Sequence, residues 1–250
     1  MYRLILIILI SYPLTGFAFM SDADIAFSQK ELADRPLGER IAFWAEKFLD
    51  TPYDTEPLGE YVRENVIIAD ERVDCMYLTF RAAELGIGKD PADAVDVALD
   101  KRFIKRGMIE NGKILNYEDR FRYGEDMLDS GKWGKEITSE LGKTDLIQGL
   151  RGREKIVMVA GRDIPRSINL LQSGDIVFFV NFPGKMVRGE IIGHIGIIKK
   201  ETDNVYLIHA SGSKNKGGKV KKVLFADYTG TMPFAGIRVS RFGTDNVLSK

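Results

Sequence analysis

The chain holds one cysteine, in Val73-Asp74-Cys75-Met76, and two histidines, in Gly193-His194-Ile195-Gly196 and Ile208-His209-Ala210. A single thiol in an exported chain has no partner for an internal disulfide. Cys75 is therefore a buried apolar filler, an intermolecular link or a reactive group. The third reading has a definite chemistry, because a thiol at a helix start beside an imidazolium is biased toward the nucleophilic anion by the backbone dipole and the neighbouring charge. In that chemistry Cys75 attacks, His194 holds the thiolate as an ion pair and later protonates a leaving amine, and His209 orients the ring of His194. The Cys75 N–H would donate to the oxyanion. The competing use of the same side chains is a zinc centre of three protein ligands and a water, which no closely spaced pair of ligands supports.

These roles need a helix start and a strand pair, and the flanking residues supply both. Leu78, Ala82 and Leu85 recur at helical spacing after Asp74, a suitable N-cap, with Gly86 as the C-terminal stop. Upstream, Pro36 to Leu49 carries Ile41, Trp44, Ala45 and Phe48 on one helical face and is stopped by Thr51-Pro52-Tyr53. Tyr61 to Ile68, rich in Val, Ile and Tyr, reads as a short strand, followed by a polar turn over Asp70 to Asp74. The span from about Asp90 to Gly161 reads as mostly helical, with a helical pattern over Pro91 to Arg106 and an amphipathic helix over Tyr117 to Leu128. Within it Arg120 serves either a structural salt bridge or a substrate.

From Ile164 onward short apolar runs at Gly174–Val180, Glu190–Ile198, Asn204–Ala210 and Gly236–Ser240 predict an antiparallel meander. The fold class is α+β, helices first and sheet last. A hairpin centred on Glu201-Thr202 opposes His194 directly to His209, with Cβ atoms about 4.5 to 5.5 Å apart on one face. Centring the turn on Thr202-Asp203 makes the two a diagonal pair on the same face, still within reach.

At 250 residues and 44% hydrophobic composition the chain can bury one well-packed core, with room for an insertion. Lys plus Arg and Asp plus Glu both number 36, so no global charge draws it to nucleic acid or an acidic membrane. The lysine cluster Lys214 to Lys222 is interleaved with glycine rather than aromatics and reads as a solvated loop. Arg3, the apolar run Leu4 to Leu14 and Gly16-Phe17-Ala18 have the order of a secretory signal, too short for a membrane span. The expected organisation is a signal peptide over 1–18, an N-terminal extension over 19–36, and one domain over 37–250 with a mainly helical insertion at about 90–161. The mature chain is expected in the periplasm or outside the cell, as a monomer, without a cofactor and with no metal.

Asp74-Cys75 at a helix start, Gly193-His194-Ile195-Gly196-Ile197, Ile208-His209-Ala210-Ser211 and Gly174-Asp175-Ile176-Val177-Phe178-Phe179 resemble the motifs of the NlpC-type (NlpC and P-sixty) papain-like cysteine peptidases, bacterial cell-wall hydrolases. Within that superfamily the chain is most similar, from about Gly38 to Arg241, to the N-acetylmuramoyl-L-alanine amidase-like family. Phe48-Leu49-Asp50-Thr51-Pro52-Tyr53, the Tyr117 to Leu128 segment, Asp227-Tyr228 and Gly236-Ile237-Arg238-Val239 carry this narrower likeness. The resemblance implies a papain-like fold and a Cys-His-His site of Cys75, His194 and His209. It also implies a supporting role for Tyr53 at the oxyanion or the substrate carbonyl, with Asp74 beside it. It implies peptidoglycan as substrate, cut at an amide of the stem peptide or at the muramoyl-alanine linkage. A thiol acyltransferase or deacylase, and a wall-binding protein with a dead site, are the alternatives. Family members usually carry a small Ser or Thr shortly after the cysteine, where this chain has Met76 and Tyr77.

Overall fold

A computed structural model describes residues 19–186 and 189–243. The expected signal peptide over 1–18 lies outside the described residues. In chain order the elements are α1 (Asp22–Glu31), α2 (Leu37–Lys47), α3 (Glu60–Arg63), α4 (Cys75–Ile87), α5 (Pro91–Lys101), β1 (Ile109–Glu110), β2 (Lys113–Ile114), α6 (Gly124–Asp129), β3 (Lys135–Glu136), β4 (Asp145–Gln148), β5 (Lys155–Ala160), α7 (Ile164–Ser167), β6 (Ile176–Val180), β7 (Ile192–Glu201), β8 (Asn204–Ser213), β9 (Gly217–Leu224), α8 (Phe225–Thr231) and β10 (Gly236–Arg241). The class is α+β. Eight strands form an antiparallel sheet in the order β4-β5-β10-β6-β7-β8-β9, with β3 pairing on β10. β6, β7 and β8 pair in sequence as the expected meander; β9 extends it where no strand was expected, and the fourth expected strand, β10, returns after α8 to lie between β5 and β6 instead of at the end.

Alternation along the strands makes two apolar faces, each covered. Ile176, Phe178, Val180, Ile195, Ile197, Ile208 and Ala210 join Ile41, Trp44, Leu78 and Ala82 of α2 and α4 in one core. Val177, Phe179, Ile198, Leu207, Ile237 and Val239 face a smaller core closed by Ile164 and Phe225. The 19–36 segment belongs to the first core: Phe19 stacks on Phe48 at 4.2 Å, and buried Gln29 donates to the carbonyls of Leu85 and Gly88. Among the described residues no helix is long and apolar enough to cross a membrane.

The helix opening at Cys75 is present, but it ends one residue beyond the expected stop. α4 runs through Gly86 to Ile87, with Gly88 as C-cap. Gly86 is a packing residue, since a Cβ there would meet Ile41 Cγ1 at 2.7 Å and the Ile41 backbone N at 3.0 Å. Its missing side chain lets α2 and α4 approach. The surrounding helix is buried well beyond the predicted stripe, and it carries a charged network the hydrophobic pattern does not reveal. Asp70 accepts from Arg81 Nε and Nη2 at 2.8 and 2.9 Å and from Tyr77 Oη at 2.8 Å, while Glu84 accepts from Arg102 at 2.5 and 2.7 Å. The Arg102 guanidinium also lies over the rings of Tyr61, Tyr77 and Phe80.

Three other expectations are corrected. Tyr61 to Ile68 is not a strand: Glu60–Arg63 form a helical turn, because the Asp54 carboxylate accepts the N–H groups of Glu56 and Glu60 and, among the described residues, no neighbouring strand offers a ladder. The 90–161 span is not mainly helical beyond α5. Glycines at positive φ (112, 131, 134, 142, 152) turn the chain repeatedly, and β4 and β5 join the main sheet. Within it, Tyr117–Asp119 is a 3-10 turn and helix resumes only at Gly124; Arg120 donates to the Tyr117 carbonyl. Finally, Lys214 to Lys222 is not a loop throughout: after the turn at 214–216 it is strand. Gly217 and Gly218, both at positive φ, start β9, an edge strand with Val220 buried, and lysine is a usual guard of such an edge.

Candidate active site

Cys75 is the first residue of α4 because Asp74 caps the helix: its Oδ1 accepts the Tyr77 N–H at 2.9 Å. The thiol is half-buried and free. The amides of Ile195 and Met76 lie beside the sulfur and favour its anion, as does Lys214. Burial, then the Asp74 carboxylate, oppose them and push the thiol up to about 12.

The turn between β7 and β8 is Thr202-Asp203, since Glu201 pairs with Asn204 and the ladder runs to Ile197–Ile208. The diagonal register is therefore the one adopted, and the direct opposition of His194 and His209 is not. Both rings stand just past the last pair of that ladder, with His194 Nε2 and His209 Nδ1 at 2.8 Å and the ring planes near perpendicular. His194 is half-buried, with the rings of Phe179, Tyr228 and Phe234 at 5.8, 6.3 and 6.3 Å. Burial and then the neighbouring His209 lower its pKa to about 3. His209 is buried and lowered to about 4, by burial and then by Lys221 across the strand pair. Burial thus favours the neutral forms of the thiol and of both imidazoles, against the preformed ion pair expected from the sequence.

Tyr53 is fixed beside the helix start by its N–H on Gly218 O at 2.8 Å and by a bridge to Val73. Its ring lies against Gly212, where a Cβ would come within 2.5 Å of it. Burial, with the charges of Cys75 and Asp74, raises its hydroxyl pKa, so it remains a donor. Asp175 is a turn residue: it accepts the Gln172 N–H and a bidentate pair from Arg241. Two residues near the thiol have no role in the sequence reading. Tyr228 on α8 sets its ring 4.9 Å from His209 and 5.1 Å from Phe179, and its hydroxyl is raised by burial and by Cys75. Lys214, assigned there to a loop, donates to Asp74 Oδ2 at 3.1 Å. Recognising the glycine pair 217–218 as the start of a strand paired with β8 would have put Lys214 in the hairpin turn near the site.

A zinc centre fits this geometry poorly, because the facing nitrogens of His194 and His209 are hydrogen-bonded to each other. Among the described residues no group of three or more His, Cys, Asp or Glu is arranged to hold a metal ion.

No protein-family model matches the chain, and no curated protein matches it. Solved structures do. An N-acetylmuramoyl-L-alanine amidase from Bacteroides uniformis is similar with a TM-score of 0.63 at 20% identity, over 82% of this chain and 98% of that one. A Legionella pneumophila protein of the DUF1460 family is similar at 0.64 and 14% identity, over 87% and 93%. A Bacteroides fragilis protein described provisionally as a xylanase is similar at 0.60 and 18% identity, over 79% and 98%. At these identities the likeness is one of fold: the chain has the α+β fold of amidase structures. The spread of names carried by that one fold leaves the chemistry to be argued from the site.

Proposed function

We propose that this chain is an exported thiol hydrolase of the NlpC-type papain-like class, cleaving an amide bond of peptidoglycan in the stem peptide or at the muramoyl-alanine linkage. The observation that carries the reading is the 2.8 Å contact between His194 Nε2 and His209 Nδ1, placed where the amide following His194 lies beside the Cys75 sulfur. The fold shared with a muramoyl-alanine amidase supports the substrate class.

With His194 Nε2–H donating to His209 Nδ1, the lone pair of His194 Nδ1 is free to act as base. The thiol sulfur adds to the substrate carbonyl carbon as its proton passes to His194 Nδ1, and His209 accepts a bond that strengthens as the imidazolium forms. The oxyanion takes donors from the Cys75 N–H at the helix start and the Tyr53 hydroxyl. Collapse breaks the C–N bond; the amine leaves with the proton from His194, and a thioester remains on Cys75. Water, deprotonated by His194, then cleaves the thioester to a carboxylic acid and the free thiol. Each step is neutral overall, which suits a site where burial disfavours a lone charge.

The test is digestion of purified murein, read as new amine and carboxyl ends. The wild-type chain is expected to release them, with and without a chelator, and Cys75→Ala to release none. Release by Cys75→Ala, or loss to the chelator alone, would overturn the mechanism.

A further inference from the structure

We propose that Lys214 is a positioning residue that sets the reactivity of Cys75, its ammonium standing as the counter-charge to the helix-capping carboxylate of Asp74 beside the thiol. The inference rests on Cys75 being the nucleophile.

Lys214 follows β8 in the turn into β9. Its Nζ donates to Asp74 Oδ2 and to the Asp54 carbonyl, each at 3.1 Å, and lies 5.7 Å from the Tyr53 ring centroid. Three segments meet at that ammonium: the strand turn, the Tyr53 segment and the start of α4. They are already tied without it, through Tyr53 N–H on Gly218 O and Val73 N–H on Pro52 O. The side chains of Lys214 and Asp74 are 31% and 17% exposed, and an ion pair that wet adds little to fold stability. Its consequence lies in the field at the sulfur.

Beside that sulfur stand the Asp74 carboxylate, the Met76 amide of its own helix and the Ile195 amide of β7, the residue after His194. The hydroxyls of Tyr53 and Tyr228 feel its charge from the preceding segment and from α8, and His209 on β8 bonds to His194. Burial favours the neutral form of both imidazoles and both phenols. Asp74 and Lys214 are the formal charges of the set, and they act on the thiolate with opposite sign. The helix needs a cap at position 74, and aspartate provides one at the cost of a carboxylate next to the nucleophile. Lys214 takes one oxygen of that carboxylate while the Tyr77 N–H takes the other.

The test is the rate of Cys75 alkylation by iodoacetamide, a neutral electrophile, from pH 6 to 10, followed by intact mass on the whole chain. Lys214→Met is expected to slow alkylation about three- to tenfold throughout that pH range, with Tm kept within about 2 °C. Lys214→Arg keeps the wild-type profile, because the charge is kept. Asp74→Asn speeds alkylation, since asparagine caps a helix as well without the charge. Wild-type rates in Lys214→Met, equal slowing in Lys214→Met and Lys214→Arg, or slower alkylation in Asp74→Asn would each overturn the proposal. The assay needs no murein, so its failure leaves the hydrolase reading standing, and inactivity on murein leaves the charge effect measurable.

Discussion

Replacing His209 by leucine separates its orienting role from its structural one. The ring is 5% exposed, holds His194 Nε2 at 2.8 Å and packs its edge against Tyr228, so a leucine of similar bulk fills the site and deletes only the polar contact. A hydrogen bond to a group that becomes charged is worth about 1.5 to 3 kcal/mol, which predicts a fall in kcat on murein of about ten- to 150-fold. His209→Asn, which can still accept that bond, should lie between the two. Stability moves with the opposite sign in acid. Folding lowers the His209 pKa from 6.5 to about 4, so the unfolded chain binds more protons between those values and the wild type loses stability as pH falls through that window. The full effect is about 3 kcal/mol, present above pH 6.5 and absent below the folded value. Urea melts at pH 7.5 and 4.5 should therefore show a smaller acid loss for His209→Leu than for wild type, the carboxylates being common to both. Unchanged kcat in His209→Leu would refute the orienting role, and an equal acid loss in both chains would refute the buried neutral imidazole.

Further outcomes follow from the same geometry. Glu84→Gln leaves the Arg102 guanidinium, 1% exposed, without its carboxylate, and urea unfolding should register a loss of about 3 to 5 kcal/mol. Gly86→Ala should destabilise by about 1 to 3 kcal/mol in the same assay despite its better helix propensity, because its Cβ would force α2 away at Ile41. With Cys75 near 12 and His194 near 3, kcat/KM should stay flat from about pH 5 to 10; a limb near 8.5 would mean a freely titrating thiol. Gly212→Ala should lower both kcat and Tm, because its Cβ would meet the Tyr53 ring at 2.5 Å and the Gly217 carbonyl at 2.6 Å, whereas Tyr53→Phe, read on murein, should lower kcat with little change in Tm.

The strand periodicity of the C-terminal half and the cap at Asp74 were legible because both are local: alternation and a side-chain acceptor act within a few residues. The hairpin register was legible only to two choices, since the two-residue turn could sit on either of two neighbouring pairs, and backbone geometry chose Thr202-Asp203. Where the reading missed, distant partners decided. Tyr61 to Ile68 has strand residues but meets Asp54 and the Tyr77 and Tyr117 rings instead of a ladder. β9 hides its pattern because an edge strand exposes its lysines, and nothing local marks Arg81, Glu84 and Arg102 as buried, since they are buried by pairing with one another. At the site, the three chemistry-bearing residues, one cysteine and two histidines, were conspicuous by scarcity. The ionisation state was not, because burial by the rings of Phe179, Tyr228 and Phe234 is a property of the folded sheet face.

The most direct measurement is rapid acid quench of the enzyme during murein turnover, with intact and peptide-level mass analysis. The account predicts an acyl adduct on the peptide containing Cys75, equal in mass to the carboxyl-side fragment less water, and its absence in Cys75→Ala. Steady turnover with no adduct at any quench time, or an adduct on another residue, would contradict it.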